Sequence, residues 1–285
     1  MRLWARIFLT GFVLWLATVI VTATTRNSNL VPTLVLLGSF LVPVTFVVWA
    51  YGRGRTPRVT VELLFKGFVV GGVLGVLGAS LLESWLIRPS ITMFLLIGLI
   101  EEGVKLAALM FVSRRMTYRT TRDGVVLGGT VGFGFSSFES AGYAFNSLFT
   151  SAGLSLPGLV ETEVLRGILA PVGHGLWTAI LGGVLFARGG RITTPVVLSY
   201  LGVSLLHALW DSMTAIAIAV TLVLFGQPWQ FDLLRIGRVP GVTDWQMHVY
   251  TLLHWAGLIV ISLVGLLWLT ALLGSDRRDR RIRHQ

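Results

Sequence analysis

Seven ionisable side chains stand inside otherwise apolar stretches of this 285-residue sequence. Glu101, Glu102 and Lys105 form Glu-Glu-x-x-Lys in the middle of the run Ile91 to Val112. Glu139 lies in Phe-Gly-Phe-Ser-Ser-Phe-Glu, with Tyr143 one helical turn on. His174 stands alone, and His207 with Asp211 forms His-x-x-x-Asp, an i,i+4 pair on one helix face. A charge at the centre of a bilayer costs roughly 2.5–3.5 kcal/mol even on a lenient scale, so seven such groups would cost on the order of 15–20 kcal/mol before pairing. Packing alone does not account for that cost. One shared functional cluster does.

Singly, each group also has a structural reading. Lys105 could neutralise Glu101 or Glu102, His174 could be an interhelical hydrogen-bonding residue, and Asp211 could fix the tautomer of His207. Tyr143 is read as a hydrogen-bond partner for Glu139. Jointly, the chemistry narrows. Ser136, Ser137 and Ser140 lie near the cluster but lack a Gly-x-Ser-Gly context for nucleophilic catalysis. Asp211 is read as the only aspartate within a span, which excludes a two-aspartate protease, and the zinc signature His-Glu-x-x-His is absent. What remains is hydrolysis by a water activated by a carboxylate base, or by a metal on His and acidic ligands. A proton or ion relay in a transporter would use the same groups.

Positioning these groups requires membrane helices. The chain is 54% hydrophobic and 13% charged, with a mean hydropathy of +0.79. Soluble domains carry about 25% charged residues, so the composition is that of a polytopic membrane protein. The net charge of +10 sits between spans and at the C-terminus, where it sets topology and meets anionic lipid rather than nucleic acid. No cysteine is present, which removes disulfides, thiolate ligands and a cysteine nucleophile.

Bilayer-sized windows give about eight spans, near residues 5–23, 31–51, 63–86, 91–113, 124–150, 165–187, 194–225 and 249–273. The first is read as an uncleaved helix, although Val21-Thr22-Ala23 resembles a cleavage site. Arginines fall in alternate loops: Arg2 and Arg6, then Arg53, Arg55 and Arg58, then Arg114, Arg115, Arg119 and Arg122, then Arg188 and Arg191. Arg277, Arg278, Arg280, Arg281 and Arg283 end the chain. The positive-inside rule then places both termini in the cytoplasm. The expectation is an all-α, polytopic helical bundle forming a single integral-membrane domain over 1–285, with a motif-bearing core at about 91–218 and a basic cytoplasmic tail at 274–285. Residues 226–248, with Trp229, Phe231 and Trp245, are expected at the outer interface. Glycine rows at Gly71/Gly75 and Gly124/Gly128/Gly132 predict close helix packing.

Counted from the cytoplasmic helix ends at 1.5 Å per residue, Glu101 and Glu102 lie about 11–12 residues in, His174 and His207 about 13, Glu139 about 15 and Asp211 about 17. Four helices thus deliver their groups to one slab roughly 10 Å thick.

These motifs, in this order on successive helices, resemble the PrsW family of intramembrane proteases, relatives of the prenyl-protein (CAAX) endoproteases. The match rests on Glu101, Glu102 and Lys105, on Phe138, Glu139 and Tyr143, on His174, and on His207 with Asp211, from about 98 to 215. The resemblance implies an intramembrane endopeptidase cleaving a membrane-anchored protein, such as an anti-sigma factor, to start regulated proteolysis. The expected base on water is Glu101 or Glu102, with Lys105 keeping one of the pair ionised while the other stays protonated, since adjacent carboxylates in low dielectric rarely both ionise. Glu139 and His174 would orient the water or protonate the leaving amine, and His207, oriented by Asp211, would stabilise the oxyanion. In the metal version, His174, His207 and one carboxylate would hold a divalent ion such as zinc. The alternatives are an ion- or proton-coupled transporter and a non-catalytic scaffold that binds membrane helices.

Overall fold

The computed structural model describes residues 2–54, 58–90, 92–151 and 153–283. Arg55 and Ile91 lie outside them, as do the side chains of the tail arginines Arg277, Arg278, Arg280, Arg281 and Arg283. The chain runs through α1 (Leu3–Thr25), α2 (Val31–Gly54), α3 (Val61–Val69) and α4 (Gly75–Leu86), the last two joined by a π turn over Val70–Leu74. Then come α5 (Met93–Ser113) and α6 (Thr121–Ser147), and a two-stranded hairpin of β1 (Phe149–Thr150) and β2 (Gly153–Leu154). The last elements are α7 (Leu156–Leu169), α8 (His174–Ala187), α9 (Thr194–Phe225), α10 (Pro228–Arg235) and α11 (Asp244–Arg283).

Six stretches among the described residues are long and apolar enough to cross a membrane: Leu3–Thr25, Ser28–Arg53, Val61–Leu86, Leu156–Ala187, Thr194–Phe225 and Asp244–Ser275. Helices α5 and α6, of 21 and 27 residues, complete the expected eight. At 1.5 Å per residue each is long enough for a core of about 30 Å. Three charges in its centre keep α5 out of the apolar set, and glycine and serine dilute α6. The two helices that look least like membrane spans carry four of the seven ionisable groups. Eight traverses return both termini to one face of the bilayer, as the arginine alternation requires.

Two spans depart from the simple reading. The sixth is two helices rather than one from 165 to 187. Pro171 removes a backbone donor and clashes with the preceding turn, and Gly173 takes φ −102° and ψ −124°. The chain therefore passes through a short 3-10 turn, Ala170–Val172, and restarts at His174. The second departure concerns the aspartates. Asp123 belongs to the first turn of α6, so Asp211 is not the only aspartate in a spanning helix. Asp123 serves a different purpose there: it closes a capping box with Thr120 and pairs with Arg58 at 3.3 Å.

The glycine rows do what their spacing predicts. A Cβ at Gly124, Gly128 or Gly132 of α6 would run into the carbonyl oxygens of Gly182, Thr178 and His174 on α8. A Cβ at Gly71 would meet the backbone of Val131. The tight α6–α8 seam sets how close Glu139 on one helix comes to His174 on the other. Gly128→Val is expected to destabilise the protein by about 1–3 kcal/mol through overpacking and to slow its reaction. Thermal unfolding in detergent checks this; an unchanged midpoint would show that the seam tolerates a larger separation.

Helix α10 carries exposed Trp229, Phe231 and Leu234, in keeping with an interfacial segment. It is tied to the start of α11 by a reciprocal amide pair. Gln230 Nε2 donates to Gln246 Oε1 at 3.0 Å, and Gln246 Nε2 returns a bond to Gln230 Oε1 at 2.8 Å.

Candidate active site

On α5, Lys105 lies one turn beyond the two glutamates and reaches both. Its Nζ donates to Glu102 Oε1 at 2.8 Å and to Glu101 Oε2 at 3.1 Å. It also lies 2.8 Å from His174 Nδ1 and 4.0 Å above the ring of Phe135. Lys105 and Glu102 are fully buried, so both charges depend on these partners.

Helix α9 brings His207 against the other side of the pair. Its Nδ1 lies 3.1 Å from Glu102 Oε1, and its Nε2 faces Asp211 Oδ2 at 3.3 Å and Glu101 Oε2 at 3.6 Å. The approach of α9 to α5 is close: a Cβ at Gly98 would meet the Ser204 backbone, and the Tyr200 hydroxyl donates to Leu99 O at 2.8 Å. His174, the first residue of α8, presents Nε2 to Glu139 Oε2 at 2.9 Å. The two imidazoles stand 4.9 Å apart, nearly perpendicular, beside the buried ring of Trp177. All seven residues singled out in the sequence therefore meet in one connected network.

Two further groups join them. Arg166, on α7 before the break, bonds Glu139 Oε2 through Nη2 at 2.5 Å and Ser140 Oγ through Nε at 2.8 Å. Its guanidinium also stacks 4.2 Å over Tyr143. Tyr143 is thus held by Arg166, half-exposed, instead of bonding Glu139. Nothing in the local pattern of the sequence links Arg166 to Glu139, because the contact depends on where the broken span folds back. Glu83 on α4 is the other. A carboxylate inside an apolar span was legible as a signal, and it lines the same cavity as Glu101.

That cavity has a volume of about 360 Å³ and is bounded by Glu83, Glu101, Phe135, Glu139, Tyr143 and Asp211. A smaller one of about 80 Å³ adjoins it on the Arg166 and His174 side. Glu102 lines neither. The glutamate pair is thereby divided: Glu101 meets the open space, and Glu102 is sealed behind it.

The donor set suits a small divalent ion. Ligand atoms of Glu101, His174 and His207 lie within 4.8 Å of one another, so a small contraction would bring all three onto one ion with bonds of about 2.0–2.2 Å. The second nitrogen of each imidazole already faces a carboxylate, Glu139 for His174 and Glu102 for His207. That arrangement orients histidine ligands in metal sites. With both imidazoles neutral, the carboxylates of Glu101, Glu102, Glu139 and Asp211 outnumber the cations Lys105 and Arg166 by two charges. Glu102 Oε2 is in addition buried without a hydrogen-bond partner. Lys105 is the competitor, since its ammonium already engages His174 Nδ1 and Glu101 Oε2.

A family model described as PrsW family intramembrane metalloprotease matches residues 3–234. Comparison with curated proteins gives no match, and comparison with solved structures gives none.

Proposed function

The chain belongs to the PrsW family of intramembrane metalloproteases, and from that premise we propose that the buried Glu–Lys–His cluster is its active site, hydrolysing a peptide bond of a membrane-anchored protein. The observation that carries this reading is the convergence of four carboxyl groups (Glu101, Glu102, Glu139 and Asp211) and two histidines from four helices into one network, beside a cavity that Glu101, Glu139 and Asp211 line. Such groups are costly in a bilayer unless they are paired, and their usual place is a functional site.

Glu101, His174 and His207 would hold the metal. When bound, it would supply Lewis acidity to a carbonyl and a more acidic water. Glu139 lines both cavities and is held by Arg166 and His174, so it is the group placed to take the proton of the attacking water. As the water oxygen bonds to the scissile carbonyl carbon, Glu139 accepts that proton and passes it to the departing amide nitrogen, whose bond to carbon breaks. Glu102 orients His207 through Nδ1 and anchors Lys105. Asp211 holds the other side of His207. Arg166 positions Glu139, and Tyr143 packs beneath it. This differs from the first assignment of the base to Glu101 or Glu102, because Glu102 does not reach the cavity and Glu101 sits among the metal donors.

The bilayer brings substrate and site together, and an anti-sigma factor with one span is the substrate class that the family resemblance favours. The test is cleavage in proteoliposomes by the purified protein with a single-span substrate. Cleavage stopped by a zinc chelator and restored by zinc is the expected result. An intact substrate together with ion-dependent flux across the vesicle membrane would overturn the reading in favour of a transporter.

A further inference from the structure

One more carboxyl is buried among apolar helices, away from the cluster. Glu163 on α7 is 4% exposed, and its Oε2 accepts a hydrogen bond from the Trp15 indole on α1 at 2.7 Å. Its Oε1 is buried with no partner among the described residues. The helices are shaped around this group: at Gly38 of α2, a Cβ would fall onto the Glu163 carboxyl itself. Only glycine lets α2 pass there. Beside the carboxyl lies a pocket of about 360 Å³ between α1, α2 and α7, with walls that include Phe8, Phe12, Leu41 and Phe46. Small-molecule sites occupy about 300–1,000 Å³ and combine apolar walls with a few placed polar groups. Among the described residues, Glu163 is the only charged one lining it. Phe12 and Ile168 at its edge are exposed, so the pocket opens on the outer face of the bundle, which a bilayer covers with lipid.

The geometry points to a second ligand site, in which a single-tailed amphiphile enters sideways from the bilayer and its head donates a hydrogen bond to Glu163 Oε1. In hydrocarbon no water can satisfy that oxygen. An alkyl tail alone would fill the apolar walls and leave the polar atom unmet, whereas a hydroxyl or ammonium head meets both demands. The Trp15 bond fixes the carboxyl so that its free oxygen stays available. The site is separate from the catalytic cluster. Glu163, Gly167 and Pro171 face this pocket, while Arg166, Leu169 and Ala170 of the same segment face the cavity at Glu139 and His174.

The test uses the full chain in detergent with a diazirine-tagged dodecanol, photo-crosslinked and mapped by mass spectrometry. Labels are expected on α1 near Phe8–Trp15 or on the segment Val164–Pro171. Dodecanol or dodecylamine should displace the label at concentrations at least tenfold lower than dodecyl methyl ether, which has no donor; the alcohol and amine arms separate the two kinds of head. Glu163→Leu should cut labelling at least tenfold. Should that variant not fold, Gly38→Ala, which pushes the carboxyl from its seat, should give the same loss. Equal labelling of the variants, equal competition by the methyl ether, or displacement only by a single-span protein would overturn the proposal.

Discussion

Glu139→Gln should abolish nearly all cleavage while leaving the metal in place. Removing a general base costs about 10²–10⁴-fold in rate. Glutamine preserves the size of the side chain and still accepts from Arg166, so the fold and the triad of Glu101, His174 and His207 should survive. Glu101→Gln should behave differently and lose both cleavage and bound zinc, because it removes a ligand atom. Measuring kcat alongside metal content by elemental analysis separates the two roles. Should Glu101→Gln keep full zinc occupancy and lose only cleavage, Glu101 is the base and the metal lies elsewhere. Arg166→Lys is the companion variant. A lysine keeps the charge but lacks the rigid fork whose Nε and Nη2 hold Ser140 and Glu139 at once, so its rate should fall less than that of Glu139→Gln, with unchanged zinc content.

The second large effect concerns Lys105. Its ammonium is fully buried between two carboxylates, and removing one partner of a buried ion pair costs about 3–5 kcal/mol, because the other charge stays behind. Lys105→Met should therefore lower the stability of the metal-free protein by about that amount. The same substitution releases His174 Nδ1 and Glu101 Oε2, so zinc should bind more tightly and recover much of the loss through ligand linkage. Unfolding in detergent across a zinc titration reads both quantities. A variant that is destabilised but binds zinc no better than the parent would show that Lys105 does not compete for the site.

These expectations rest on parts of the protein that were legible to different degrees. Eight spans, their order and the alternating arginines could be read because a bilayer imposes a length and an apolarity on every crossing. The depths of Glu101, Glu102, Glu139, His174, His207 and Asp211 followed from helix rise alone, and all of them meet in the folded chain. The glycine rows on α6 announced close packing through their spacing. Pro171 and Gly173 were visible as residues, yet the break they cause was hidden inside an apolar run that looks continuous. Glu163 fell before the assumed start of that span and Arg166 one residue inside it, at an end where a basic residue is ordinary, so neither stood out as a membrane charge.

The sequence by itself determined the class of protein and the approximate number of long helices, and it pointed to the ionisable groups that meet, because each is a local consequence of hydrophobicity and rise per residue. Only the tertiary structure decided how those groups are divided. Adjacent residues on a helix point about 100° apart, so Glu101 and Glu102 had to differ, but which one met open space depended on the approach of α4, α6 and α9. The same holds for Lys105, whose third partner comes from α8, and for Glu139, whose cation comes from α7. Pairing between helices is a long-range property, set by the glycine-lined seams that fix how near the backbones come.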